Sequence, residues 1–480
     1  MASGLRTSWA GDPVTASDRP PYLRALLEGP DEDSASTGDA VVDAAPTVPP
    51  PGELREIPHA FPPDLLDPDA VKVIRRLTEA GHEAYLVGGC VRDLLFDLRP
   101  KDFDIVTSAL PNEVRRLFRN CRIIGRRFRL AHVYFRDKVL EVATFRAPMR
   151  EQDEADGNGE LLIRDDNVFG TREQDVMRRD LTINALLYDV ARGVILDYVG
   201  GVADAEARVI RTIGDPDIRM QEDPIRILRV LRLAARLGCR VDRPTWRAAV
   251  RHRERILDAA RPRVLEDLNR MFLGGAAAPA FDLMLASGVL EIVLPELHAH
   301  LRRRAEAGDV EELEALRAVL RAADRARRHG REFTTAQRLA LLLAPLLLTP
   351  AEDEQQAGHT TAPAERATER MKPIAARLAI SRRDGERVRQ IVLSLPKLLV
   401  TNGARRSRRR GGGALVRRSY FRETLEVFGL YVGATGDGRE AWERWSRRLA
   451  ALPADEQPPA TTPRTTRRRR ARRPRRFAGA

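Results

Sequence analysis

Two aspartates stand two positions apart in the stretch LRPKDFDIVTS, which otherwise has the pattern of a β-strand. Successive side chains of a strand point to opposite faces, so Asp102 and Asp104 share one face while Phe103 and Ile105 share the other. Neighbouring carboxylates repel each other, and a Mg²⁺ ion, commonly held by one or two carboxylates plus substrate phosphates, would offset that repulsion. A strand end with two hydrated acids is the alternative, so the neighbouring motifs must decide between the two.

Two glycines precede these acids in the stretch LVGGCVRDLLFD. Gly88 and Gly89 follow a predicted strand and precede a predicted helix, where they allow backbone amides to approach phosphate oxygens. Arg92 could add a charge-assisted contact to the same phosphate. Paired glycines at a strand end are also common for steric reasons, but the aspartates that follow favour a phosphate-binding turn.

Arg178, Arg179 and Asp180 form a third polar group, directly before an apolar stretch with helical spacing. In one interpretation Asp180 caps that helix and the arginines are solvated. In the other interpretation, Arg178 or Arg179 binds a triphosphate or ribose, and Asp180 orients the arginine or the ribose hydroxyl. The three residues alone do not decide between these interpretations.

A fourth group lies in QEDPIRILRVLRLAARLG, where Asp223 and Pro224 suit a helix start. Asp223 offers an acceptor and Arg226 a planar fork of donors. A protein needs both to recognise the hydrogen-bonding edge of a base. The arginines of this helix recur at helical spacing and form one basic stripe, which is usually a solvated face. The stripe consists of Arg226, Arg229, Arg232 and Arg236.

The elements that must position these residues follow from local patterns. An aspartate cap at Asp67, a proline and apolar spacing predict a helix that ends at Gly81. EAYLVGG and KDFDIVT are typical of strands, and LAHVYF and KVLEVATF of a hairpin around RDK. Glu141 interrupts the second hairpin strand, either as a half-exposed cross-strand charge or as a supporting acid in the metal site. After Gly200 no convincing strand appears.

Composition limits the class of protein. Lys and Arg number 82 against 69 Asp and Glu, a formal charge of +13 that favours an acidic partner such as nucleic acid. The three cysteines have no disulfide or zinc spacing, which indicates a reducing compartment. The apolar run at 339–348 is too short to span a membrane and contains Pro345, and the N-terminus has no signal pattern. We therefore expect a cytoplasmic protein without membrane association.

Together, LVGGCVRDLL with KDFDIVT, RRDLTINAL and EDPIRILRVLR resemble the bacterial class of template-independent RNA nucleotidyltransferases in the DNA polymerase β superfamily. That class contains poly(A) polymerases and CCA-adding tRNA nucleotidyltransferases. GRRFRLAH and LEVATFRAP are similar to the poly(A) polymerase subgroup. The chain departs from the family at Phe96 and Asp97, where L-L-G is common after V-R-D, and at Leu181, where Phe is common.

The resemblance implies a role for each matching residue. Asp102 and Asp104 would hold catalytic Mg²⁺, and Asp180 would be a third catalytic acid. Nucleotide binding would fall to Gly88, Gly89, Arg92, Arg178, Arg179, Asp223, Arg226 and Arg229. The substrates would be ATP and RNA 3′ ends, with CCA addition to tRNA and an inactive RNA-binding scaffold as the alternatives.

The expected fold is α+β, with a small sheet-and-helix head followed by an elongated all-helical neck and body. We expect a disordered segment at 1–55, the catalytic head at 56–199, a base-recognising and RNA-binding neck at 200–270 and an RNA-binding body at 271–455. Residues 456–480 form an arginine-rich tail that cannot pack a core and is expected to contact RNA.

Overall fold

The computed structural model describes residues 21–30, 41–42, 52–125, 129–147, 168–350, 362–399 and 414–459. It comprises two compact units, one of residues 31–258 and one that joins residues 1–30 to residues 259–480. Residues 126–128 of the GRRFRLAH motif and the arginine-rich tail from 460 onward lie outside the described residues.

The strands of the first unit form two sheets. They are β1 Val41–Val42, β2 Arg55–Pro58, β3 Ala84–Val87, β4 Asp104–Thr107, β5 Cys121–Ile124, β6 Leu130–Tyr134, β7 Val139–Thr144, β8 Leu187–Asp189, β9 Val194–Asp197, β10 Val209–Ile210 and β11 Arg240–Asp242. An eight-stranded sheet at the centre of the unit has the order β2-β9-β8-β3-β4-β7-β6-β5. Its β4–β7 pair is parallel and its other pairs are antiparallel. A small parallel sheet has the order β1-β11-β10.

Helices surround the large sheet and make up the second unit. Those of at least five residues are α1 Pro21–Glu28, α2 Pro68–Glu79, α3 Gly89–Leu95, α4 Pro111–Leu117, α5 Arg172–Met177, α6 Gly201–Glu206, α7 Pro216–Glu222, α8 Ile225–Leu237, α9 Arg243–Arg251, α10 Arg261–Leu273, α11 Ala277–Ala286, α12 Val289–Val293, α13 Pro295–Glu306, α14 Glu311–Arg328, α15 Thr335–Leu348, α16 Pro363–Arg377, α17 Arg382–Val392, α18 Leu395–Leu399, α19 Phe421–Thr435 and α20 Arg439–Ala450. Single 3₁₀ turns lie at Pro63–Leu65, Thr182–Asn184 and Arg253–Asp258.

Local signals account for several of these elements. The Asp67 carboxylate accepts hydrogen bonds from the backbone amides of Asp69 and Ala70, which caps α2 as predicted. Gly81 follows α2 in the left-handed region with φ of +86°, where glycine alone carries no steric cost. The predicted hairpin is β6 and β7, paired antiparallel.

The central strands are covered on both faces. Leu86 and Ile105 belong to one apolar cluster, which also contains buried residues of α2, α3 and α4. Tyr85 and Val106, on the opposite face of the same strands, belong to a second cluster. Burial on both faces fixes the register of β3 and β4, because a slip by one residue would reverse every side chain. The C-terminal end of β3 therefore lies beside the N-terminal end of β4, with Val87 paired to Asp104.

Three predicted features differ from the structure. The apolar stretch after Asp180 forms the 3₁₀ turn at Thr182–Asn184 and β8 rather than a helix, because β3 and β9 provide ladder partners on both sides. Strands do follow Gly200, but β10 and β11 have only two and three residues, too few to show alternation. Within the segment 1–55, predicted to be disordered, the structure describes α1 and β1.

The second unit is helical throughout its described residues. Its first helix, α1, packs on α11 and α13 and buries Leu26, while the Arg317 guanidinium lies 3.5 Å from the centre of the Tyr22 ring. The apolar run at 339–348 lies in α15 and is almost entirely buried, as expected. No helix in the described part of the chain is long and apolar enough to cross a membrane. The α+β class with a sheet-containing head and a helical remainder is confirmed.

Candidate active site

The two aspartates open the strand β4 at the centre of the large sheet. Phe103 and Ile105 are buried, whereas Asp102 and Asp104 are exposed, so the side chains alternate between the faces as predicted. Asp102 lies just before the hydrogen-bonded part of the strand, which begins at Asp104. Both carboxylates therefore project from one face at the N-terminal end of β4.

The carboxyl group of Asp104 has a pKa raised to about 6. Partial desolvation is the largest cause, followed by repulsion from Glu141 and Asp102, while the charge of Arg179 acts in the opposite direction. Glu141 is close because Ile105 of β4 pairs with Val142 of β7, which makes Asp104 and Glu141 adjacent positions on neighbouring strands. Negative charge is thus concentrated at this point of the sheet.

This concentration of charge fits a divalent cation. Carboxylate oxygens are the ligands that Mg²⁺ prefers, and a cation between Asp102 and Asp104 would offset their repulsion. Among the residues that the structure describes, no three His, Cys, Asp or Glu side chains are grouped so that they could hold a metal ion alone. A Mg²⁺ ion bound by the two aspartates would therefore complete its coordination with water and substrate phosphate oxygens.

The glycine turn lies directly beside the aspartates. Gly88 connects β3 to α3 with φ of +74°, a conformation that a side chain rarely adopts. A Cβ atom placed on Gly88 would lie 3.5 Å from Nη1 of Arg179, so this guanidinium group faces the turn. Because Val87 pairs with Asp104, the turn and the acidic strand meet at the same end of the sheet.

A buried carboxylate holds both arginines of the RRD motif. Oδ1 of Asp175 accepts from Nε of Arg178 at 3.2 Å, and its Oδ2 accepts from Nε and Nη2 of Arg179 at 3.2 and 2.7 Å. Asp175 is 2% exposed, whereas both arginines are half-buried. The carboxylate thus fixes two cations near the glycine turn, where they could bind anionic oxygen atoms.

Arg92 lies in the protein interior, with only 6% of its surface exposed. Its Nε and Nη2 donate to Oδ1 of Asp93 at 2.9 and 2.5 Å, and its Nη1 donates to Oδ1 of Asn184 at 2.6 Å. The guanidinium is therefore bound by protein groups from α3 and from the 3₁₀ turn. A Cβ atom placed on Gly89 would lie 3.6 Å from Nη2 of Arg92, so the guanidinium also faces the glycine turn, and the predicted phosphate contact stays a prediction.

Asp180 is also buried, at 8% exposure. Its Oδ1 accepts from the Leu181 amide at 3.0 Å and from Nδ2 of Asn184 at 3.2 Å, and its Oδ2 lies 2.9 Å from Nη2 of Arg229. Burial by itself would raise the pKa of this carboxyl group, but Arg229 and the two hydrogen bonds hold the pKa below its ordinary value. Asp180 thus pairs with Arg229 and caps no helix.

The candidate base-reading residues lie where α7 ends and α8 begins. Nη1 of Arg226 donates to the Arg219 carbonyl and to Oε2 of Glu222, each at 2.8 Å. Arg219 donates to the same Glu222 oxygen at 2.7 Å. Asp223 stands between the two helices, where its carboxylate accepts from the Ile225 amide at 3.4 Å. The Arg226 fork is therefore held in place before any ligand arrives.

The basic stripe of α8 is not a solvated face. Arg229 pairs with Asp180, and Nη2 of Arg236 donates to Oδ2 of Asp93 at 2.7 Å. Both arginines are half-buried, and both partners are buried acids of the sheet-containing region. The stripe thus anchors α8 to the region that carries the aspartates and the glycine turn.

Sequence reasoning missed three polar residues of this site. Asp175 could have been found, because its spacing of three and four residues from Arg178 and Arg179 is that of ion pairs on a helix. Glu222 has the same spacing from Arg226, but the boundary between α7 and α8 falls between them. Asn184 has no local signal, since one of its two partners lies 92 positions away.

Two solved structures share this architecture. The CCA-adding enzyme of Bacillus stearothermophilus, solved in complex with CTP, has a TM-score of 0.57 and 24% identity, covering 81% of this chain and 84% of that one. The CCA-adding enzyme of Thermotoga maritima, solved in complex with tRNA, has a TM-score of 0.53 and 19% identity, covering 83% and 86%. The sheet, the glycine turn and the acidic strand thus define the nucleotidyltransferase fold.

Sequence comparison finds similarity to poly(A) polymerases over part of the chain. Residues 84–211 match the family model described as the Poly A polymerase head domain, and residues 238–301 match the one described as a probable RNA and SrmB-binding site of polymerase A. Proteins named Poly(A) polymerase I are 39% identical over 309 residues in Escherichia coli O6:H1 and 42% identical over 255 residues in Salmonella typhi. Over these residues the chain is similar to poly(A) polymerases, in the head domain and in the RNA-binding region that follows it.

The extent of these matches is partial. The Escherichia coli match covers 63% of this chain and 65% of that protein, and the Salmonella match covers 52% and 54%. The chain thus spans less than two thirds of the length of these relatives. A CCA-adding enzyme of Bacillus velezensis is 34% identical over 238 residues, covering 50% of this chain and 58% of that enzyme.

Proposed function

We propose that this protein is a template-independent polynucleotide adenylyltransferase, which transfers AMP from ATP to RNA 3′ ends and releases pyrophosphate. The observation that carries the proposal is the meeting of Asp102 and Asp104 with the Gly88 turn and Arg179 at one end of the sheet. Adenylyl rather than cytidylyl transfer is favoured because the relatives named Poly(A) polymerase I are 39–42% identical, against 34–35% for those named CCA-adding enzyme.

The residues divide the work of an in-line transfer. Asp102 and Asp104 would hold Mg²⁺, which when bound supplies Lewis-acid activation of the 3′ hydroxyl and charge stabilisation at the leaving pyrophosphate. The oxygen of that hydroxyl forms a bond to the α-phosphorus of ATP, its proton departs, and the bond to pyrophosphate breaks. No protein nucleophile takes part.

The remaining candidates bind and orient the nucleotide. Arg179, held by Asp175, is aimed at the glycine turn, where it would neutralise triphosphate oxygens with help from Arg178. Asp223 and Arg226 would offer an acceptor and a donor fork to the base edge. We infer for Gly88 and Gly89 the roles that the sequence predicts. Arg92 and Asp180 are buried, and Asp180 pairs with the half-buried Arg229.

RNA binding would rest mainly on contacts with the phosphate backbone. A template-independent enzyme must hold primers of any sequence, and phosphate contacts position a nucleic acid without reading it. The net charge of +13 suits this task. In this proposal the catalytic head spans 56–199, the neck 200–270 and the RNA-binding body 271–455, with the tail at 456–480 as a further contact. The three cysteines are free and buried, in keeping with a reducing cytoplasmic location.

Primer extension with Mg²⁺ tests the proposal. A generic RNA and a tRNA that lacks its 3′ end are each supplied with ATP or CTP alone. Long tails on the generic RNA from ATP alone are expected. Extension that stops after a few nucleotides, requires CTP first and accepts only the tRNA would instead indicate CCA addition.

A matched pair of variants tests the alternative that the protein is an inactive RNA-binding scaffold. Asp104→Asn removes one of the two charges that would hold Mg²⁺, and we expect it to abolish extension. Asp137→Asn changes an exposed acid in the turn between β6 and β7, and we expect it to retain extension. Equal low activity in the wild type and in both variants would indicate the scaffold.

A further inference from the structure

Asn184 connects two candidate residues that belong to different sequence motifs. Its Oδ1 accepts from Nη1 of Arg92 at 2.6 Å, and its Nδ2 donates to Oδ1 of Asp180 at 3.2 Å. The three side chains are 6 to 8% exposed, so solvent offers no substitute partner. Losing one member of such a buried network leaves its partners without hydrogen bonds, which costs more than the bond itself contributes.

The asparagine amide suits this connection because it carries both an acceptor and a donor. A guanidinium group donates and cannot accept, whereas an ionised carboxylate accepts and cannot donate. A bridging side chain must therefore present an acceptor to Arg92 and a donor to Asp180, which the two ends of an asparagine amide do. The same argument fixes the orientation of the amide, because the reverse orientation would set donor against donor and acceptor against acceptor.

The contacts of Asn184 extend into a closed ring. Asp180 pairs with Arg229 of α8, and Arg92 binds Asp93, which accepts from Arg236 of the same helix. Arg229 and Arg236 are two turns apart, so they lie on one face of α8. The ring thus joins α3, the 3₁₀ turn at Thr182–Asn184 and α8 at two separate points along α8.

This ring constrains the position of α8 together with the buried apolar residues of the helix. The helix begins two residues after Asp223 and carries Arg226 in its first turn, so its placement relative to α3 sets the position of both base-reading groups. Recognition by hydrogen bonds requires that donors and acceptors be held within about 0.5 Å of the productive geometry. A ring of buried polar groups adds directional constraints to those of apolar packing.

We propose that Asn184 is a positioning residue for nucleotide selection, because it completes the ring that fixes α8 and the two base-reading side chains Asp223 and Arg226. This inference rests on the proposed function. Asn184 itself would not touch the nucleotide.

The test compares nucleotide selectivity in variants of the full chain. The ratio of kcat/KM for ATP to kcat/KM for CTP is measured by single-nucleotide addition to a generic RNA. This ratio does not depend on the fraction of folded enzyme, so a purely structural loss leaves it unchanged. We expect Asn184→Ala to lower the ratio by about tenfold, the effect of misplaced hydrogen-bonding groups in a recognition site.

Two further variants sharpen the result. Asn184→Asp keeps the acceptor for Arg92 but sets a second carboxylate against Asp180, and we expect at least the same loss of selectivity. Asn120→Ala is the matched control, because Asn120 is an exposed asparagine of the same unit, whose Nδ2 donates to the Tyr134 carbonyl. Its selectivity should equal that of the wild type. Asn184→Leu, which has a similar volume and no hydrogen-bonding group, is the second variant to use if the alanine variant does not fold.

The outcomes separate this inference from the proposed function. A wild type that fails to extend RNA with ATP contradicts the proposed function. A wild type that extends RNA, with a folded Asn184→Ala or Asn184→Leu variant of unchanged ATP-to-CTP ratio, overturns the positioning role alone. A fall in the ratio in the Asn184 variants and not in Asn120→Ala supports it.

Discussion

Replacing Asp104 by asparagine should stabilise the protein in the absence of metal while it abolishes the activity. The pKa of Asp104 is raised from its ordinary value of 3.8 to about 6. A folded-state pKa above the unfolded value means that the ionised carboxylate destabilises the fold. The side-chain amide of the Asp104→Asn variant would be neutral at every pH, so the variant lacks this penalty.

The expected magnitude follows from the size of the shift. Two pKa units correspond to about 3 kcal/mol, but the side chain is exposed, and screening by solvent reduces this to about 1 kcal/mol. For a unit of this size, about 1 kcal/mol moves the midpoint of thermal unfolding by about 2–4 °C. The difference between variant and wild type should be complete above pH 6, shrink as the pH falls through 6 towards 4, and vanish below about pH 4.

Thermal unfolding followed by circular dichroism is the assay, with EDTA in one series and Mg²⁺ in the other. In EDTA at pH 8 the Asp104→Asn variant should unfold at the higher temperature. Mg²⁺ should raise the midpoint of the wild type more than that of the variant, because ligand binding to the folded state stabilises it. Asp137→Asn is the control and should follow the wild type in both series. An Asp104→Asn midpoint at or below that of the wild type in EDTA at pH 8 would refute the reasoning.

Three other changes have defined outcomes. Asp175→Asn removes the buried charge that binds Arg178 and Arg179, so kcat/KM for ATP in primer extension should fall by about tenfold or more. Unchanged kinetics would contradict the proposed role of Asp175 in placing the two arginines. Asp97 has φ of +55° and stands where related sequences commonly have glycine. Asp97→Gly should therefore raise the free energy of unfolding, measured in urea, by about 1 kcal/mol. A decrease would contradict this prediction. Removal of the residues after Pro463 should lower RNA affinity and reduce the salt dependence of a filter-binding titration while single-nucleotide addition persists; an identical salt slope would show that the tail does not contact RNA.

The sequence alone determined the features that depend on neighbours along the chain. Strand periodicity of two placed Asp102 and Asp104 on one face, because successive side chains must alternate. The Asp67 cap of α2 and the hairpin of β6 and β7 follow equally from residues a few positions apart. The α+β class was predictable for the same reason, since hydrophobic periodicity reports which face of each element is buried.

Only the tertiary structure decided which polar groups meet. Arg92 has the sequence context of a phosphate ligand, yet its partner Asn184 lies 92 positions away, and the Asp93–Arg236 contact spans 143 positions. The stretch after Asp180 has helical spacing, but the ladders of β3 and β9 make it a strand. The raised pKa of Asp104 comes first from desolvation and then from Glu141, brought beside it by the parallel pairing of β4 with β7. Sequence periodicity gives each residue its face, whereas burial, charge pairing and register arise only when distant segments pack together.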